Sequence, residues 1–185
     1  MKEARIAIRY SKALFELAQE KELLDGVYKD MVQLGSICTT NRDFLLMLKS
    51  PVIKTEKKKK ILRQVFGNTF LEISQRFLEI IIARGRESIV GEIANQYVIL
   101  YKKYKNILTA RLTSAKPLDE AEKKRIIDML KRETKAEIEL VEEIRKDLIG
   151  GYILSFGNLQ YNASLSKKIH NLQKEFDVNP YVRGF

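Results

Sequence analysis

The stretch YVILYKKYKNILTARLTS, residues 97–114, decides the fold. Up to Tyr104 the apolar positions Ile89, Ile93, Tyr97, Leu100 and Tyr104 recur every three or four residues, the period of one helix face. Beyond Lys105 the period drops to two: Leu108, Ala110 and Leu112 alternate with Thr109, Arg111 and Thr113, as in a half-buried strand. A purely helical region therefore gives way, near residues 104–107, to one that contains a sheet.

Upstream of that switch every periodic segment is helical. Ile6, Tyr10, Ala13, Leu14 and Leu17 recur beside the charged stripe Arg5, Arg9, Lys12 and Glu16, which predicts a first helix over about 4–18. Ile8 and Phe15, seven residues apart, share a second face and widen its apolar surface. Asp25 and Gly26 punctuate before a second segment carrying Val27, Met31, Leu34, Ile37 and Cys38. Asn41 is placed to cap a short third helix, Phe44 to Leu48, which Ser50 and Pro51 stop. A fourth carries Ile61, Leu62, Val65 and Phe66, with Gly67 and Asn68 expected to supply a left-handed cap. The fifth spans about 70–84 and closes at Gly85, and the sixth runs from about 87 to 104. Short connections among six helices imply antiparallel packing in a bundle.

Downstream, Asp119 and Glu122 resemble a capping box opening a helix with Ile126, Ile127 and Leu130. Strands are expected at Ile138 to Ile144, Tyr152 to Phe156 and Leu159 to Tyr161. A last helix sets Leu165, Ile169, Leu172 and Phe176 on one stripe, and the tail from Asn179 reads as irregular. The fold class is thus α+β with two domains: an N-terminal six-helix bundle over 1–105 and a small C-terminal α/β domain over 106–185.

The composition, 31% charged and 45% hydrophobic, excludes a disordered chain. A net charge of +10 suits an anionic partner, whether nucleic acid, membrane or acidic protein. Most of that excess sits in residues 1–105, with 20 basic against 12 acidic side chains. Cys38 stands alone, so no intrachain disulfide forms, and a reducing cytoplasm is the default. The apolar runs Phe44–Leu48 and Tyr97–Tyr101 fall far short of the roughly 20 residues of a membrane helix. A helical pattern that begins almost at Met1 leaves no room for a signal or transit peptide, as in a bacterial or already mature chain.

No constellation for catalysis emerges. His170, the sole histidine, lies on the last helix away from Leu165, Ile169 and Leu172, where a solvent-facing residue is expected. One His and one Cys cannot make a conventional zinc site, so no metal is expected. Glu142 and Glu143, adjacent on a strand, point to opposite faces. Gly150, Gly151 and Gly157 are not followed by Gly-Lys-Ser/Thr and read as turn and strand-end glycines, so no nucleotide cofactor is expected. The run Lys57 to Lys60 reads as a solvated helix face, and Tyr97, Tyr101 and Tyr104 as core and rim aromatics. Helix five is the exception to simple patterning. Phe70, Leu71, Ile73, Phe77, Leu78, Ile80, Ile81 and Ile82 occupy more than one face, so it is either the central helix of the bundle or partly covered by a partner helix.

Several segments, taken in order, resemble the delta subunit family of bacterial ATP synthases, which includes the mitochondrial oligomycin-sensitivity-conferring protein. They are Arg9-Tyr10-Ser11-Lys12-Ala13-Leu14-Phe15, Ser50-Pro51-Val52-Ile53 with the lysines and Ile61-Leu62, and Arg84-Gly85-Arg86. In the second half they are Thr113-Ser114-Ala115-Lys116-Pro117-Leu118 and Asp147-Leu148-Ile149-Gly150-Gly151. The resemblance spans residues 4–176 and departs at Asn162-Ala163-Ser164, where the family commonly has Asp-Gly-Ser. Asn162 is expected to keep that turn as a cap or in a left-handed conformation.

The resemblance implies a non-catalytic stator subunit without cofactor or metal, peripheral on the cytoplasmic face of the bacterial membrane and held there only through its complex. It implies that the helical domain receives the N-terminal helix of an alpha subunit against Tyr10, Ala13, Arg76, Ile80 and Arg84. Arg76, Ile80 and Arg84, four apart, would put an apolar centre between two cations. It further implies that the second domain meets the peripheral-stalk b subunit through Gly150, Gly151, Leu165, Ile169 and Leu172, although the stripe itself is expected to pack inward on the sheet. The competing readings are a basic nucleic-acid-binding protein, whose affinity would fall steeply with salt, and a small enzyme.

Overall fold

The computed structural model describes residues 2–177, with side chains for 3–174, so the tail from Asn179 and the side chain of Phe176 lie outside the described residues. The chain divides into two compact units, Met1–Lys105 and Asn106–Phe185. The first comprises α1 (Lys2–Glu20), α2 (Leu24–Thr40), α3 (Arg42–Lys49), α4 (Thr55–Phe66), α5 (Glu72–Ala83), a 3-10 turn (Glu87–Ile89) and α6 (Val90–Tyr104). The central helix is α6, which packs along both α1 and α2, while α5 lies chiefly on α4. Helix five is therefore not the hub that its all-round apolar sequence allowed.

In α1 the buried face is Ala7, Ser11, Leu14 and Ala18. Three of those four are small, which lets α6 approach closely, and the Ser11 hydroxyl is satisfied locally by donating to the Ile8 carbonyl at 2.9 Å. The expected stripe is displaced accordingly: only Leu14 reaches the core, Ile6 and Tyr10 are half-buried, and Ala13 and Leu17 are exposed. Phe15 does not widen a free surface, since its ring lies 5.8 Å from Tyr97 and 5.5 Å from Tyr104. Ile8 alone of that pair is exposed.

Three local expectations are corrected. Asp25 and Gly26 do not separate helices; they occupy the first turn of α2, and the break falls at Glu22, whose φ is 56°. Gly67 keeps a right-handed conformation (φ −58°), because the chain leaves α4 through further turns, with Thr69 and Phe70 N–H donating to the Phe66 carbonyl. Lys58 is not solvated: it is 2% exposed, donates to the Leu48 carbonyl at 2.7 Å and pairs with Glu87 at 2.5 Å. Its neighbours Lys57 and Lys60 are exposed, as a solvated face requires.

The second unit contains β1 (Ile107–Ser114), α7 (Glu120–Thr134), β2 (Glu137–Ile144), β3 (Tyr152–Phe156), β4 (Leu159–Asn162) and α8 (Leu165–Asp177). Its sheet order is β2-β1-β3-β4, with β1 and β2 parallel across the α7 crossover and the remaining pairs antiparallel. The capping box of Asp119 and Glu122 opens α7 as its spacing predicts. Ala110, Leu112 and Leu154 from the sheet pack with Ile126 and Leu130 of α7 to form the core. The fold is thus an N-terminal helical bundle followed by a smaller unit of strands and helices.

Candidate functional site

A cavity of about 410 Å³ opens beside α1 and α5. Its apolar lining is Leu17, Leu23, Leu71, Ile73, Phe77 and Ile80, and Lys21, Glu72 and Arg76 supply its polar lining. The sequence of α5 makes this surface by carrying two stripes. Ser74, Leu78, Ile81 and Ile82 face the core, while Ile73, Phe77 and Ile80 recur at i, i+4 and i+7 along the open flank. Ile80 is 54% exposed, so the α5 core closes without it.

The ends of α5 are fixed. At its C-terminus Gly85 takes φ 63°, with its N–H donating to the Ile82 carbonyl and that of Arg86 to the Ile81 carbonyl, the paired bonds of a Schellman cap. Along its other flank Glu79 accepts from Arg63 of α4 at 2.5 Å, and that guanidinium holds the Glu79 carboxyl below its usual range. The groove wall is therefore a helix anchored to the rest of the bundle.

Of the five residues expected for the first partner, Arg76 and Ile80 line the cavity. Tyr10 adjoins it, its half-buried ring meeting Phe77 edge-on at 6.4 Å. Ala13 is exposed on α1 between Tyr10 and Leu17, and Arg84 is exposed at the end of α5. Arg76 pairs with Glu72 at 2.5 Å, both being exposed. Leu71, Ile73 and Phe77 belong to the all-round apolar set that leaves helix five open to a partner, whereas Leu17 and Leu23 carry no such expectation. The α5 stripe is available as spacing, Leu71 falls just before α5, and Leu23 lies in a connection, where periodicity gives no signal.

In the second unit Leu165, Ile169 and Leu172 form an exposed stripe on α8, which corrects the expectation that they pack inward on the sheet. The core of that unit is already filled by α7, and α8 has no substantial packing against any described element. Gly150 and Gly151 have a structural role. A Cβ on Gly151 (φ 77°) would stand 2.4 Å from the Ala163 carbonyl oxygen, and one on Gly150 would meet Leu165 at 2.8 Å. They let the chain pass close to the start of α8, which Ser164 caps by accepting from Lys167 N–H at 3.3 Å. Asn162 neither caps the helix nor turns left-handed; its side chain accepts from Ser164 N–H at 3.0 Å in a local turn.

A further group of shifted titratable side chains lies at the seam of α2 and α6. Tyr101 donates to Asp25 at 2.5 Å, which pushes the phenol up to about 12, assisted by burial. The same bond, with Lys105 at 3.3 Å, lowers Asp25. Burial alone raises the Cys38 thiol to about 11, which makes it an inert core residue. Among the described residues no group of three His, Cys, Asp or Glu side chains is arranged to hold a metal. Nor is any helix among them long and apolar enough to cross a membrane.

Comparison with known proteins gives a consistent result. The family model described as "ATP synthase delta (OSCP) subunit" matches residues 6–176. An ATP synthase subunit delta from Christiangramia forsetii is 36% identical over 182 residues, covering 98% of each chain. One from Parabacteroides distasonis is 33% identical over 168 residues, covering 91% of this chain and 93% of that relative. A chain in the Toxoplasma gondii mitochondrial ATP synthase hexamer shares the fold with a TM-score of 0.71 at 22% identity, over 94% of this chain and 98% of that one.

Proposed function

The chain belongs to the ATP synthase delta (OSCP) subunit family of non-catalytic stator components that link the catalytic head to the peripheral stalk, and from that premise we propose how it makes the link. The helical unit receives the N-terminal helix of an alpha subunit in the groove beside α1 and α5. The carrying observation is the outer stripe Ile73, Phe77 and Ile80, an apolar helix edge that lines an open cavity beside α1. An amphipathic helix laid in such a groove buries its own apolar face against these side chains. Tyr10 and Leu17 flank it from α1, with Ala13 between them leaving room for close backbone approach.

The second unit engages the peripheral-stalk b subunit through the exposed stripe Leu165, Ile169 and Leu172 of α8. Gly150 and Gly151 contribute by seating the start of that helix. With both attachments made, the chain sits peripherally at the cytoplasmic face of the membrane and resists the torque that the rotor exerts on the head.

Paired charge substitutions in the full chain test this division. Ile80→Asp is expected to weaken binding of an alpha-subunit N-terminal peptide while sparing b, and Ile169→Asp is expected to do the reverse. Loss of b binding in the Ile80 variant, with the Ile169 variant normal, would show the assignment to be inverted.

A further inference from the structure

We infer that Gly26 and Asp30 of α2 are positioning residues for the α1–α5 groove: they fix Leu71 and the first turn of α5, and so set the shape that a bound helix meets. Its consequence for affinity rests on the groove being the alpha-subunit site. Neither residue lines the cavity; Leu71, which both touch, does.

Asp30 is 6% exposed, and one of its carboxylate oxygens accepts the Leu71 N–H at 3.0 Å across 41 positions of sequence. Leu71 is the residue that precedes α5, and its own side chain offers no cap. A carboxylate carried on α2 thus meets the positive end of the α5 dipole in place of a local cap. Gln75 secures the same turn, its side-chain amide donating to the carbonyls of Gly67 at 3.0 Å and Phe70 at 2.8 Å.

Gly26 acts on the side chain of Leu71. It does not take a positive φ, and it stands in the first turn of a helix, where alanine is the better helix former. Nothing in the conformation of α2 calls for glycine there. A Cβ at this position would lie 2.5 Å from Leu71 Cδ1, so the missing methyl is what admits the leucine. Leu71 Cδ1 is the far end of a flexible side chain with open space in the cavity beside it. A larger residue at 26 would turn Leu71 into the groove with little damage to the fold.

The test uses the full chain and a synthetic peptide of the alpha-subunit N-terminal segment. Gly26→Ala is expected to leave the melting temperature unchanged or higher while weakening the peptide about tenfold, equivalent to ~1.4 kcal/mol. Asp30→Ala should expose the Leu71 amide to hydrogen exchange and also weaken binding. Asp30→Asn, which keeps an acceptor oxygen, should recover most of both. Side-chain NMR provides a readout that needs no partner: the Ile73 and Ile80 methyl resonances should move in the Gly26 and Asp30→Ala variants. A Gly26→Ala protein that binds as tightly as wild type overturns the inference, as does one whose affinity and melting temperature fall in step. If the wild type does not bind the peptide, the alpha assignment fails by itself. The methyl resonances still decide the positioning role, shifted ones supporting it and unmoved ones overturning it.

Discussion

Replacing Ile80 by Asp separates a groove residue from a core residue, and the structure sets the size of both effects. Fully burying an isoleucine contributes about 1.5–3 kcal/mol, and Ile80 is 54% exposed, so losing its packing costs about 1 kcal/mol of fold stability. The new carboxylate stands four residues from Arg76 and from Arg84, exposed cations on the same helix edge, and such pairs return a few tenths of a kcal/mol each. The melting temperature should therefore fall by less than about 8 °C for a unit of this size. Binding is affected more severely, because a helix laid over Ile80 would trap the carboxylate against Phe77 and Ile73. A net loss of about 2 kcal/mol corresponds to roughly thirtyfold in Kd. Calorimetric titration of the alpha-subunit peptide, with circular dichroism of the same samples, reads both quantities. Ile81→Asp is the control, since Ile81 is fully buried and should fail to fold. A well-folded Ile80→Asp protein with wild-type affinity would refute the groove.

Three further outcomes are expected. Lys58→Met should destabilise the helical unit by about 3 kcal/mol in chemical denaturation, because it leaves the Glu87 carboxylate, with one oxygen already lacking a partner, buried without its cation; Lys57→Ala should stay within about 0.5 kcal/mol. Tyr101→Phe should flatten both limbs of the stability–pH profile. The Tyr101 phenol, raised from 10.0 to about 12, stabilises the fold below its unfolded pKa and loses that contribution as pH rises from 10 to 12. Asp25, lowered chiefly by the same bond, contributes above its unfolded pKa and loses it as pH falls through its folded one, so unchanged acid and alkaline limbs would show the bond to be idle. Gly151→Ala should destabilise the sheet-containing unit by about 2 kcal/mol, through both its φ of 77° and the Ala163 carbonyl, while peptide binding to the helical unit persists.

Element order was readable in the sequence because each helix and strand carries its own period, and because Asn41, Asp119 and Gly85 mark ends by side-chain or backbone chemistry that is local. What escaped reading depends on contacts distant in sequence. The inward face of α1 rotated toward Ala7, Ser11 and Ala18 because α6 demands small residues there, a requirement written on α6 and not on α1. Lys58 looks identical to its three lysine neighbours until Glu87, 29 residues later, is brought beside it. The α8 stripe has the period of a core-facing helix, yet whether a core remains to receive it is decided by α7, which fills that place first. The groove was half visible: the apolar residues of α5 and Leu71 before it can be counted, but Leu23 and the support that Asp30 and Gly26 give Leu71 cannot.

The two exposed stripes also bear on how a small chain holds against torque. Ile73, Phe77 and Ile80 offer three partly open side chains, and three more lie on α8, so each surface alone can gain only a few kcal/mol from burial, before the cost of immobilising a partner. Under the proposed division the two contacts lie in different units and bind different partners, so they stand in series and neither raises the effective concentration at the other. On this reading the weaker of the two contacts sets how firmly the head is held. Either charge substitution alone should then lower retention of the head on the stalk by about the factor measured at its own site, and a loss of retention with unchanged affinity at both sites would refute the series arrangement.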